Sequence, residues 1–248
     1  MLRTVTILDE LLSSLPEKPV PVRSVLVGAH WTVVCSRHAG MAATLMADRP
    51  HGHSSVREVG RLHEKPAQAL AELSRSADPL EASIGVAAIN SMLEVDQGIC
   101  RAANAAEILA NEGRNRNVAL VGHFPFVEQL REAVGQLWVL ELHPREGDFP
   151  ADAAPDLLPR ADVVAITASA LINRTLDGLL ELCQPSSTVM VLGPSTPLSP
   201  ILFEHGVHIL SGTQVTDEAA VLRTVGQGAS FRQVQGTRLL TLLRQSQD

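Results

Sequence analysis

The second half of this chain changes pattern in a way that constrains its fold. Short, almost uninterrupted apolar runs, at 118–122, 137–142, 162–167, 188–193 and 207–210, alternate with stretches carrying a helical stripe. A strand with one face in water alternates apolar and polar residues, whereas a strand covered on both faces is apolar throughout, as in parallel sheets. The intervening stretches have helix signals. Pro125 suits a first helical position, Phe126, Leu130 and Val134 share a face, and Gly135 can end the helix. Leu171, Ile172, Leu176, Leu179 and Leu180 form a second stripe. Thr196 and Pro197 read as the N-cap and first position of a third helix, stopped by Gly206. Such alternation implies right-handed βαβ units and a doubly wound, mainly parallel, Rossmann-like α/β domain.

The first half follows another pattern. A helix at 5–15 precedes runs at 24–27 and 31–35, separated by Gly28-Ala29-His30 and able to pair as a hairpin. A loop rich in His, Arg and Gly leads to helical segments at 66–74, 79–95 and 102–111. This is a small α+β unit that cannot easily continue a parallel sheet. The polar, breaker-rich stretch 111–117 marks the expected boundary, giving an α+β domain at 1–112 and a Rossmann-like domain at 113–248.

Composition excludes several classes of partner. A formal charge of −7 argues against sequence-independent binding to nucleic acid, which needs a basic surface. No apolar run approaches the roughly 18–20 residues that cross a bilayer, and the opening residues lack a signal-peptide pattern. The three cysteines, Cys35, Cys100 and Cys183, are far apart and odd in number, so a reducing, cytoplasmic setting is expected. A two-domain body with an acidic surface suits a homodimer.

In an open parallel sheet, ligands bind beyond the carboxyl ends of the strands near the topological switch point, so the residues after each strand are the candidates. Gly122-His123-Phe124-Pro125 follows the first strand, where a glycine turn can bring the next helix's N-terminus to a ligand. The G-x-G-x-x-G dinucleotide fingerprint is absent and Pro125 removes a donor, so a classical NAD site is not expected, and the alternative to a ligand-binding turn is a plain strand–helix connection that binds nothing. Glu141, about twenty residues on, could hold ribose hydroxyls or be a solvated strand end. Asp148 lies in the loop beyond it, beside Arg145, which could grip a carboxylate or phosphate or pair with that acid. Thr167 ends the third strand and Asn173 lies in the helix after it. Gly193-Pro194-Ser195-Thr196-Pro197 follows the fourth, where two prolines fix two hydroxyls for positioning rather than nucleophilic attack. Asn90, in an apolar helix of small residues, either caps a neighbouring segment or reaches into a cleft between the domains. Cys35-x-x-His38 and His51-x-His53 could supply metal ligands, though no C-x-x-C pair or H-E-x-x-H accompanies them.

Taken in order, Val121-Gly122-His123-Phe124-Pro125-Phe126, Pro144-Arg145-Glu146-Gly147-Asp148, the run 161–167, Asn173-Arg174-Thr175 and Gly193-Pro194-Ser195-Thr196-Pro197-Leu198 resemble the putative heavy-metal chelation family, a mainly prokaryotic group. Segments 28–32 and 85–90 resemble its N-terminal partner domain, which is similar to the enolase N-terminal domain. The resemblance implies a site where the two domains meet but transfers no catalytic residue. Three functions follow as expectations. The first is binding or processing of a small polar or anionic metabolite in the interdomain cleft, linked to metal chelation or chelator metabolism. The second is a transferase using an S-adenosylmethionine-type nucleoside cofactor. The third is a non-catalytic metal carrier or sensor using the Cys35–His53 region. Whether the chain is an enzyme, and whether its ligand is a divalent metal or nucleoside-like, stay open at the level of sequence.

Overall fold

The computed structural model describes residues 5–47, 56–96 and 98–244. The N-terminal part contains α1 (Ile7–Ser13), the strands β1 (Ser24–Val27), β2 (Trp31–Cys35) and β3 (Ala39–Ala43), and the helices α2 (Ala67–Ala71) and α3 (Pro79–Met92). The helix starts are locally encoded. Thr6 and Asp9 form a capping box on α1, and the Asp78 carboxylate accepts from the amides of Leu80 and Glu81 at the start of α3. β1, β2 and β3 form an antiparallel meander, one strand more than the expected hairpin. Ala39-Gly40-Met41-Ala42-Ala43 lacks the β-branched residues that would have marked it as a strand.

α3 is buried on nearly every side, which its small residues permit. It packs on β2 and β3, and a Cβ on Gly40 would collide with the Ala87 carbonyl oxygen and the Ser91 amide nitrogen. A glycine is therefore needed for β3 and α3 to approach this closely. Strand alternation divides the meander's faces. Val34 and Ala42 join the large core cluster that includes α3, whereas Val33, Cys35 and Met41 pack with Val221 and Val225.

The rest of the chain supplies β4 (Cys100–Arg101), α4 (Ala105–Glu112), β5 (Asn117–Val121), α5 (Val127–Ala133), β6 (Gln136–Glu141), β7 (Phe149–Pro150), α6 (Ala154–Leu157), β8 (Val163–Thr167), α7 (Ser169–Ile172), α8 (Leu176–Glu181), β9 (Thr188–Leu192), α9 (Ile201–Glu204), β10 (Ile209–Val215), α10 (Glu218–Gly226) and β11 (Thr237–Leu243). One eight-stranded sheet runs in the order β4-β11-β10-β9-β8-β5-β6-β7, and only the pairings of β11 with β10 and β4 are antiparallel. Alternate residues enter opposite core layers. Ala119, Val164, Ile166 and Val191 lie in one, and Val118, Leu120, Ala165 and Met190 in the other. Both faces are thus covered, as the apolar runs require. Strand Cys100–Arg101 pairs in this sheet, and α4 packs on α5 and β8, although both precede residue 113.

Three helix expectations are corrected. The helix after β5 starts at Val127, and Pro125 sits in the turn before it. The stripe 171–180 is two helices, α7 and α8, because Arg174 takes φ 62 and the Asn173 side chain accepts from the Thr175 amide and hydroxyl. Thr196 does not cap a helix. Its hydroxyl donates to the Ser211 carbonyl at 3.0 Å, and α9 begins only at Ile201. The alternative partner in β10 wins because it ties the β9 loop to the sheet.

Candidate functional site

The chain passes from β5 outward to β6 and β7, then returns to β8 on the other side of β5, so the topological switch lies between β5 and β8. A cavity of about 670 Å³ opens at the carboxyl ends of β5, β8 and β9. His123, Phe124, Pro125 and Phe126 line it after β5, Thr167 and Ser169 after β8, and Gly193, Pro194 and Ser195 after β9. The rest of the wall comes from five places, two of them being Ala103-Asn104-Ala105 at the start of α4 and Leu239 and Leu240 of β11. His30 and Trp31 come from the N-terminal meander, Ser211 and Thr213 from β10, and Phe231 and Arg232 from the turn after α10. Both halves of the chain therefore build it.

The strand ends owe their shape to glycine. Gly122 (φ 102) and Gly193 (φ 113) occupy left-handed conformations that let the chain turn out of β5 and β9. Gly122 is buried behind the cavity, with its amide donating to the Leu140 carbonyl.

Ser195 and Asn90 form the seam between the halves. The buried Ser195 hydroxyl accepts from the Ala43 amide of β3 at 2.8 Å. The Asn90 amide donates to the Met41 carbonyl at 2.9 Å and the Ser195 carbonyl at 3.1 Å. Asn90 thus ties α3 to β3 and to the β9 loop at once, without being among the lining residues. Its Oδ1 is buried with no hydrogen-bond partner among the described residues.

Asp148 lies behind His123. Its side chain is 1% exposed, and its Oδ2 takes the His123 Nδ1–H at 2.9 Å and the Arg145 amide at 3.1 Å. A carboxylate only accepts, so Nδ1 carries the proton, and in the neutral imidazole the lone pair is then on Nε2. The loop 144–148 therefore contributes a turn that holds Asp148. Arg145 contributes its backbone, with its side chain exposed at the surface, and the turn is closed by the Asp148 amide donating to the Arg145 carbonyl. Asp148 Oδ1 is buried without a partner among the described residues.

The wall has a distinct composition. Trp31, Phe124, Phe126 and Phe231 line it, four of the seven aromatic residues in the whole chain. Phe124 stacks on Phe126 at 5.3 Å, and Trp31 meets Phe231 edge-on at 5.5 Å. The ionisable side chains on the wall are His30, His123 and Arg232, with no Asp or Glu among the described lining residues of a chain whose net charge is −7. Trp31 Nε1 and Thr213 Oγ1, on two lining residues, are buried and unpartnered among the described residues. Buried polar groups left without partners cost roughly 1–3 kcal/mol each, so such atoms cluster where a ligand or water completes them.

Of the residues singled out in the sequence, His123, Phe124, Pro125, Thr167, Gly193, Pro194 and Ser195 line the cavity. Asp148, Gly122 and Asn90 stand behind lining residues. Glu141, Arg145, Asn173 and Thr196 are not on the wall. Glu141 pairs with Pro150 at the β6–β7 edge, and Asn173 is exposed in its own turn. Sequence reasoning missed His30, Trp31, Ser211, Thr213, Phe231 and Arg232. The only local sign was the concentration of rare aromatics, and the pairing of 230–232 with the meander is a long-range contact without a motif.

Cys35 is fully buried beside Val33, Met41 and Val221, and burial pushes its thiol up to about 11. Metal ligation needs the thiolate, so the Cys35–His38 pairing does not fit a metal. His51 and His53 lie outside the described residues. Among the described residues, no group of three His, Cys, Asp or Glu side chains could hold a metal ion, and no helix is long and apolar enough to cross a membrane.

Comparison with known proteins assigns the chain. Residues 104–244 match the DUF364 family model and residues 8–93 the DUF4213 model, both described as "Putative heavy-metal chelation". The chain is similar to a DUF364 protein of Desulfitobacterium hafniense, with 31% identity, TM-score 0.85, and 96% of this chain and 98% of the other covered. It shares the fold of a DUF364 protein from Pyrococcus horikoshii, at 20% identity and TM-score 0.82 over the same shares. A protein of Methanocaldococcus jannaschii is 27% identical over 186 residues, 72% of this chain and 70% of that one. With one family model spanning more than half its length and a solved DUF364 structure matching it nearly end to end, this chain belongs to the DUF364 family.

Proposed function

We propose that the cleft binds a small anionic metabolite with a flat, unsaturated portion that itself carries metal-chelating groups. One observation carries this reading: a cavity of about 670 Å³ with four aromatic side chains, His30, His123 and Arg232 on its wall, and no lining carboxylate among the described residues. Aromatic faces take a planar ligand by stacking, and the Arg232 guanidinium and the lining hydroxyls offer donors to its anionic groups. The family description supports a link to metals, and the side chains described suit a chelator better than a bare ion. In this reading the N-terminal unit, enolase-like in its resemblance, supplies His30 and Trp31 as one wall of the cleft. The nucleoside-cofactor reading is weaker, because its ribose-binding acid, Glu141, does not line the cavity.

Native mass spectrometry of freshly purified protein, with elemental analysis of the same sample, tests the proposal. The expected result is an organic ligand that is lost in Phe124→Ala and Ser195→Ala. Protein that carries no organic molecule, and whose Trp31 emission is unchanged by pyridine-2,6-dicarboxylate, would overturn it. Trp138, the other tryptophan, is buried in β6 beneath Arg160, so quenching by a cavity ligand reports Trp31.

A further inference from the structure

We infer that His123 is the protein's own ligand to the metal of a chelate bound in the cleft, through Nε2, and that Asp148 is its positioning residue. The inference rests on the chelator reading above and extends it to a specific atom. The geometry is independent of that reading. Asp148 is 1% exposed and takes the Nδ1 proton at 2.9 Å, and the Arg145 amide fixes the same oxygen. A histidine held by a carboxylate at one nitrogen has a defined tautomer, a fixed ring plane and a more basic second nitrogen, which is the usual arrangement around metal-bound imidazole. His123 lines the cavity beside Phe124. Holding a buried carboxylate with one unpartnered oxygen behind a single imidazole carries a desolvation cost that surface exposure of the ring alone would not require. A single histidine cannot hold a metal against water. It can complete the coordination of a metal whose remaining sites a planar chelator already fills. The step is a ligand exchange in which the Nε2 lone pair replaces one water on the metal. That water leaves, no electron is transferred, and the Nδ1 proton stays on its bond to Asp148.

The test uses the full chain and the 1:1 copper(II) complex of pyridine-2,6-dicarboxylate, a flat anionic chelate with an open equatorial position. Pulsed electron paramagnetic resonance detects the remote nitrogen of a copper-bound imidazole. Trp31 quenching measures the affinities of the complex and of the metal-free dicarboxylate. The expected result is an imidazole signal in the wild type and in His30→Ala that is lost in His123→Ala. Asp148→Asn should weaken the copper complex about 10–100-fold while leaving the metal-free dicarboxylate's affinity unchanged. That split separates positioning from general loss of structure. A complex that binds the wild type without an imidazole signal, or whose signal survives His123→Ala, overturns the inference and leaves the cleft reading standing. If neither the dicarboxylate nor its copper complex binds, the cleft reading fails and this inference fails with it.

Discussion

Glu81 gives the most direct quantitative test of how the N-terminal unit is held. Its carboxylate is 3% exposed near the start of α3, the helix that carries Asn90 to the seam. Burial alone would raise its pKa. Against that, Arg57 donates from Nε at 2.9 Å, from Nη2 at 3.0 Å and from its amide at 2.9 Å, and Ser76 donates its hydroxyl at 2.7 Å. These donors win and hold the carboxyl at about 2, below its ordinary 4.5. Because the folded value is depressed, the stabilisation is fully present above pH 4.5 and is lost as pH falls toward 2. The shift corresponds to about 3 kcal/mol at neutral pH, of which about 2 kcal/mol is gone by pH 3. Urea unfolding of the wild type and Glu81→Gln at pH 7 and pH 3 isolates this term, since every other carboxyl titrates in both proteins and cancels. The stability gap between them should shrink by about 2 kcal/mol on going to pH 3. A gap that stays the same at both pH values would refute the assignment of an ionised, paired Glu81.

Two further outcomes follow from the seam and the core. Asn90→Leu removes the bonds to the Met41 and Ser195 carbonyls and leaves both acceptors buried, so it should cost about 1–3 kcal/mol in urea unfolding and weaken ligand binding in the cleft. The Cys35 thiol, raised from 9.0 to about 11 by burial, should react with a thiol reagent at pH 8 about 100-fold more slowly than a free cysteine, and Cys35→Ala should leave metal content unchanged. Rapid labelling of Cys35 in the folded protein, or loss of metal in the alanine variant, would count against its placement in the core.

Much of the sheet was readable because its signal is local. The runs that became β5, β6, β8 and β9 are apolar throughout, and that composition follows from burial on both faces whatever the partners are. β11 escaped notice. Its burial is uneven, with Arg238 and Leu239 exposed, and it pairs antiparallel with β10 and β4 rather than joining a βαβ unit. Thr196-Pro197 misled for the opposite reason, since a strong local cap signal lost to a hydrogen bond with Ser211, fifteen residues away.

The sequence alone determined the layered α/β architecture and the strand ends where a ligand would sit, because hydrophobic period and glycine turns are properties of neighbouring residues. Only the tertiary structure decided which strand-end residues face the cavity. It set Asp148 behind His123 across 25 residues, placed Glu141 beside Pro150 of the edge strand β7, and brought Trp31 and Phe231 together across 200 residues of chain. Those contacts depend on strand order and on how the two halves pack, which no local pattern encodes.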